Sequence, residues 1–228
     1  AMLYDGDRKP LFREPLMISA GKVINESYPR LDNVKFGLLE AKIDNPRKWS
    51  DEEPYLYTLV LWLEEESGMI TEAKSCRVGF RSIRFSEENG KLLINGRETY
   101  LRGVNRHDHD PVKGKALSRE DILKDVRQIK QFNFNCIRTS HYPNDPWFYE
   151  LCDEYGILVI DEANLETHGL GGKLSNDPLW IHAHMERVTR MVLRDKNHPC
   201  VIFWSLGNEA GRGPATAAMA AWVHDFDI

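Results

Sequence analysis

Cysteine is scarce in this 228-residue sequence: four residues, Cys76, Cys136, Cys152 and Cys200, stand far apart with no CxxC pair. That spacing argues against a disulfide framework or a zinc site, and free thiols buried in apolar surroundings are the expectation. Such thiols suit a reducing compartment, so a cytoplasmic location is expected. No apolar run approaches the length of a membrane span and no signal-peptide core stands at the N-terminus, so no membrane partner is expected. A basic excess is also missing. Thirty Lys and Arg against 35 Asp and Glu leave a net charge of -5, which argues against a nucleic-acid partner, because a phosphate backbone rewards a basic face.

What is present is the composition of an ordinary globular protein, 42% hydrophobic and 29% charged, with length for one large domain or two smaller ones. Ala1 precedes Met2, so Met2 need not be a natural start, and an excised piece of a larger protein is the expectation. Residues 1–85 have the texture of β structure. Asn45-Pro46 signals a turn, Tyr57, Leu59, Leu61 and Leu63 alternate along one strand, and Gly68 separates them from a second alternation through Cys76, Val78 and Phe80. Residues 1–35 carry only short apolar runs such as Leu16-Met17-Ile18. The expected architecture is an incomplete immunoglobulin-like β-sandwich, since the complete fold takes about 100 residues.

Residues 86–228 change rhythm. Asn95-Gly96 supplies the positive φ angles of a type I′ hairpin turn. After Tyr100–Val104, helical and strand patterns alternate. Ser118 and Asp121 have the spacing of a capping box, with Ile122, Val126 and Ile129 on one helix face. Asn135–Arg138 reads as a strand, Pro146 opens a helix that stops at Gly156, and Ile157–Ile160 reads as a buried strand. Pro178 opens the next helix, Val201–Trp204 forms a strand, and Gly213-Pro214 introduces an Ala-rich helix. This order predicts a parallel sheet, either doubly wound or closing into a (β/α)8 TIM barrel. No GxGxxG follows the first strand, which weakens the dinucleotide-binding version. Four strand-helix units are the N-terminal half of a barrel that takes about 250 residues.

Ionisable residues crowd the ends of all four strands: Asn105–Asp110, Arg138–Pro143, Asp161–His168 and Ser205–Glu209. Such groups are costly there unless paired, solvated or used, and a barrel carries its chemistry on that face. Glu209, flanked by Trp204 and Leu206, is the sharpest candidate, as an acid whose proton affinity an apolar flank would raise. Asn208 beside it can bond a sugar hydroxyl. Blander roles stand beside each choice. Asn208 and Glu209 can cap a helix before Gly211, and His107 can bond Asp108 and Asp110. His141 can sit satisfied in a His-Tyr-Pro turn, and Arg138 can neutralise a buried acid such as Glu162.

The stretch Asp195-Lys196-Asn197-His198-Pro199-Cys200-Val201-Ile202-Phe203-Trp204-Ser205-Leu206-Gly207-Asn208-Glu209 resembles the acid/base signature of glycoside hydrolase family 2. Asn135-Cys136-Ile137-Arg138-Thr139-Ser140-His141-Tyr142-Pro143, with Asp153 and Gly156 beyond it, resembles that family's other signature. Gly103–His107 and Asp161–Gly169 resemble the β-galactosidase versions of these loops, and the likeness runs from about Val34 to Trp222.

That resemblance implies a retaining enzyme that hydrolyses terminal β-D-galactosides, with Glu209 as general acid/base. It implies Asn208 at the sugar 2-hydroxyl, His107 and His141 on the galactosyl group, and Arg138 positioning carboxylates. It further implies Mg2+ held by Glu166, His168 and Glu209, while ligands for Na+ are expected outside this chain. Two carboxylates suit a hard cation, although histidine is an unusual magnesium ligand. A β-glucuronidase or β-mannosidase of the same family is the alternative, as is a non-catalytic module that binds carbohydrate or a partner chain. The Glu166-x-His168 pair favours the galactosidase. Retaining glycosidases also need a nucleophilic carboxylate about 5–5.5 Å from the acid/base. In the family it follows a later strand, and Glu209 is followed by 19 residues here, so the chain alone is expected to be inactive. Exposed strand edges predict a homo-oligomer or a complementing chain segment.

Overall fold

The computed structural model describes residues 1–25 and 36–227; Val34, where the family likeness begins, lies outside them. The described chain divides into two units, Ala1–Arg47 with Leu56–Val78, and Lys48–Tyr55 with Gly79–Ile228.

In the first unit, β1 (Met2–Tyr4), β2 (Tyr57–Glu64) and β3 (Ile70–Val78) form an antiparallel sheet in the order β1-β2-β3, with a short helix α1 (Ala20–Asn25). The β2–β3 hairpin turns at Gly68, whose φ of 84° is open to glycine at no steric cost. Alternation along β2 does not become burial of one face: Tyr57 is buried, but Leu61 and Leu63 are about half exposed, at 51% and 52%, and Trp62 between them is less exposed. Two expectations are corrected here. Cys76 is exposed, because β3 is an edge strand with nearly all of its residues exposed. The second alternation ends at Val78, and Phe80 instead accepts a hydrogen bond from the Trp49 amide at 2.8 Å within the second unit.

The second unit opens with a small antiparallel sheet, β4 (Ile83–Phe85), β5 (Leu92–Ile94) and β6 (Arg97–Glu98). Asn95 and Gly96, at φ 52° and 80°, make the tight turn between β5 and β6 that their sequence predicts. Then come β7 (Gly103–Arg106), α2 (Arg119–Gln131), β8 (Cys136–Thr139), α3 (Pro146–Tyr155), β9 (Leu158–Glu162), α4 (Lys173–Asn176), α5 (Ile181–Asp195), β10 (Val201–Ser205) and α6 (Pro214–Phe226). The four later strands are parallel and lie in space in the order of the sequence, β7-β8-β9-β10. A doubly wound sheet reverses direction at a switch point; an order that never reverses is that of a barrel wall. These are the first strand-helix units of a (β/α)8 barrel.

Local chemistry sets the helix ends. Ser118 Oγ accepts from the Asp121 amide at 3.3 Å while Asp121 accepts from the Ser118 amide at 2.8 Å, completing the capping box of α2. Asp145 caps α3 ahead of Pro146, and Gly156 ends it in the left-handed conformation at φ 67°. Pro178 opens a single 3-10 turn, Pro178–Trp180, which hands on to α5 rather than starting it.

In the core of this unit Ile137, Leu158 and Val159 of the sheet are buried, and Ala163, Leu165, Val188, Met191, Val192, Met219 and Val223 form one buried cluster. Its N-terminal end is closed by residues 48–55 and Arg81. Trp49 is fully buried and donates to the Asp153 carbonyl at 2.8 Å, and losing such a side chain typically costs about 3–5 kcal/mol. Arg81 donates to the carbonyls of Pro199 and Val201 at 2.5 Å each. With that end stapled, the loops at the C-terminal ends of the strands remain for chemistry. No described helix is long and apolar enough to cross a membrane.

Candidate active site

Strand alternation places Asp161 and Glu162, adjacent in sequence, in two different settings. Asp161 faces the helices. It accepts from Tyr149 Oη at 2.6 Å and from Thr139 Oγ1 at 3.2 Å, and burial, followed by repulsion from Asp195, pushes its carboxyl well above the usual range. Glu162 faces the strand-end loops. Arg138 binds it twice, Nε to Oε2 at 2.7 Å and Nη2 to Oε1 at 3.0 Å, while Ser205 donates to Oε2 at 2.6 Å. His141 Nδ1 lies 2.7 Å from Oε1. Burial pushes the Glu162 carboxyl up, but the bonds from Ser205, Arg138 and His141 outweigh it and hold the group below its ordinary range.

Arg138 reaches further. Its Nη2 donates to Asn208 Oδ1 at 2.8 Å, and Asn208 donates through Nδ2 to Glu166. The Asn208 amide bond and then the His168 backbone N–H lower the Glu166 carboxyl, each favouring the charged form. The loops after β9 and β10 are further joined by the Asn208 amide, which donates to the Leu165 carbonyl at 2.8 Å. A Cβ at Gly207, φ 134°, would lie 2.6 Å from that same carbonyl oxygen, so glycine is needed for the approach.

His168 Nδ1 contacts the Glu209 carboxylate, and its backbone amide donates to Glu166 at 3.2 Å. Glu209 adopts φ 46°, a left-handed conformation rare for a residue other than glycine and common at functional sites. Its side chain is 54% exposed and that of His168 76%. The apolar enclosure expected from Trp204 and Leu206 is therefore not what surrounds Glu209: Trp204 and Leu206 pack against the buried cluster of Ala163, Val188 and Met219 instead.

His107 and His141 meet edge to face, with ring centroids 5.4 Å apart. The carboxylates next to His107 in sequence are engaged elsewhere. Asp108 binds Arg106 at 2.5 Å, and Asp110 accepts from the amides of Val112 and Lys113 at 2.8 Å each. All seven residues singled out from the sequence thus fall on one face: His107, Arg138, His141, Glu166, His168, Asn208 and Glu209. Arg138 also performs its blander role, neutralising Glu162. The sequence reading named Glu162 only as an acid for Arg138 to neutralise, and it missed Ser205, which donates to the same carboxylate. No local pattern singles out Ser205, because its pairing with Glu162 comes from the register of β9 and β10 in the folded sheet.

Glu166, His168 and Glu209 offer two carboxylates and one imidazole on adjoining exposed loops, a donor set that fits a hard divalent cation. Their present contacts would have to open toward the ion. Among the described residues, the His, Cys, Asp or Glu trio whose ligand atoms lie within 4.8 Å of one another is Asp153, His198 and Cys200, at the other end of the sheet.

A family model described as the TIM barrel domain of glycosyl hydrolases family 2 matches residues 85–228. The chain belongs to glycosyl hydrolases family 2. A second model of the family matches residues 16–81. Among curated members, a β-galactosidase of Alteromonas mediterranea is 52% identical over 99% of this chain, and one of Psychromonas ingrahamii is 47% identical over 99%. The chain spans about a fifth of the length of these relatives, 21% of each. Among solved members, a β-glucuronidase of Ruminococcus gnavus in complex with D-glucuronic acid is 26% identical, with a TM-score of 0.77 over 100% of this chain and 36% of that one. A β-glucuronidase of Bifidobacterium dentium is 30% identical, with a TM-score of 0.71 over 91% of this chain and 31% of that one.

Proposed function

We propose that this chain supplies the acid/base face of a retaining β-galactosidase, with Glu209 as the general acid/base. One observation supports this most: a continuous set of bonds runs from Glu162 through Arg138 and Asn208 to Glu166, and ends beside His168 and Glu209. It gathers a carboxylic acid, a hydrogen-bonding amide and two histidines where a sugar can enter from solvent.

Glu209 would protonate the glycosidic oxygen as the C–O bond breaks, then take a proton from water as the covalent intermediate is hydrolysed. Asn208 spends one N–H on Glu166 and one lone pair on Arg138, so a second N–H and lone pair remain for a sugar hydroxyl. His107 and His141 line the sugar side. Glu166, His168 and Glu209 would hold Mg2+, which supplies positive charge beside the acid/base. On this reading the nucleophile comes from sequence outside residues 1–228. The galactoside is preferred over a glucuronide because the relatives at 47–52% identity are named β-galactosidases, whereas the glucuronidase structures are 26–30% identical.

Sugar binding and turnover test the proposal together. Methyl β-D-galactoside should shift the NMR signals of Asn208 and His141 saturably, at lower concentration than the glucuronide or mannoside. A preference for the glucuronide would overturn the substrate assignment. The chain alone should not hydrolyse a chromogenic galactoside, and turnover abolished by Glu209→Gln would overturn that part. In a form of the enzyme that does turn over, Glu209→Gln should slow the reaction by about 10²–10⁴-fold.

A further inference from the structure

We propose that Glu162 is the positioning residue of this site: it sets Arg138 and His141 toward the sugar, and sets Asn208 through Arg138. The inference rests on the sugar-binding reading above for its consequence, though not for its geometry.

A carboxylate has about four lone-pair positions. Those of Glu162 are all engaged, by Arg138 Nε and Ser205 Oγ on Oε2, and by Arg138 Nη2 and His141 Nδ1 on Oε1. Its side chain is fully buried. Glu162 therefore has neither a position nor an exposed edge with which to touch a substrate. Its partners differ. Arg138 and His141 are 27% and 29% exposed, each with one side on Glu162 and another toward the open face. Backbone placement is also fixed, since the Glu162 amide donates to Thr139 Oγ1 at 2.9 Å.

The consequence is a junction of all four strand ends. Arg138, on β8, touches Asn105 of β7 at 3.4 Å, Glu162 of β9 and Asn208 beyond β10. A guanidinium held in a fork by a carboxylate presents its remaining N–H groups in a fixed plane. Without the carboxylate it regains rotamer freedom, and Asn208 loses the donor that sets which end of its amide faces Glu166. Glutamine cannot substitute, because its NH2 group would face a donor on one side of the fork. Aspartate keeps the charge but recedes, so it cannot span the same partners.

NMR of the whole chain tests this without relying on catalysis. The Arg138 Nε–H should give a resolved, slowly exchanging signal in the wild type. In Glu162→Gln it should exchange at least roughly tenfold faster, and galactoside affinity should fall by roughly tenfold or more. Glu162→Asp covers the case in which the glutamine variant fails to fold. It keeps the charge and should fold with a lower melting temperature, while losing the protected signal and most of the affinity. An Arg138 signal as protected as the wild type's in either folded variant overturns the proposal, as does unchanged affinity in a wild-type chain that binds galactoside. If the wild type binds no sugar, the functional reading fails, and the Arg138 signal still decides the role of Glu162.

Discussion

His198 Nδ1 lies 2.6 Å from one Asp153 oxygen, while the other Asp153 oxygen accepts the Cys200 amide at 2.9 Å. The pair sits where the chain enters β10, at the end of the strand away from Glu209. Burial lowers the proton affinity of His198, but the hydrogen bond and charge of Asp153 more than offset it, and the imidazole pKa is raised. Asp153 is the stiffer partner, buried and bonded on both oxygens.

That pair makes stability depend on pH with a definite sign. A histidine raised above its unfolded value of about 6.5 adds stability that is complete below that pH. The contribution is lost as the pH rises through the folded value. Urea unfolding should therefore show stability falling as pH climbs above about 6.5, and His198→Gln should flatten that slope. Asp153→Ala should destabilise more than His198→Gln, since it also leaves the buried Cys200 amide without its acceptor, at a cost of about 1–3 kcal/mol. A slope identical in wild type and His198→Gln would contradict the assignment.

The cysteines should separate cleanly by reactivity. Cys76 is exposed on an edge strand, whereas Cys136, Cys152 and Cys200 are buried. Burial pushes the Cys136 thiol up to about 12, and the Cys152 and Cys200 thiols also well above their ordinary value. A thiolate-seeking disulfide reagent should modify one thiol quickly in the native chain and four after denaturation. Fast labelling of Cys200 in folded protein would show that the Asp153 region opens.

Magnesium binding is a separate measurement. Calorimetric titration of the chain with Mg2+ should give one site, weakened roughly 10–100-fold by either Glu166→Gln or His168→Ala. Undiminished binding in both variants would move the ion elsewhere in the molecule. Asp153→Asn, at the far end of the sheet, serves as the comparison, because it alters the alternative trio of donors without touching Glu166 or Glu209.

Much of the fold was legible because the cues are local. Asn95-Gly96, the Ser118–Asp121 box, Pro146 and Gly156 each act within a few residues, and each appears where its sequence places it. The strand ends were legible for the same reason, as dense ionisable residues that directly follow short apolar segments. Cys76 and Leu61 were not, because alternation shows which side chains share a face and not whether anything covers it.

The sequence by itself therefore determined the strand-helix alternation of the second unit and the family, and it named seven candidate residues at strand ends that share one face. Tertiary structure decided how those residues are wired. The ties from Arg138 to Glu162 and Asn208 span 24 and 70 positions, and only strand order brings them within hydrogen-bond distance. It also decided that Glu209 stands in solvent against His168 rather than within an apolar flank, since neighbours in sequence on a turn need not be neighbours in packing. Exposure and long-range charge pairing are properties of the assembled loops, and no local pattern carries them.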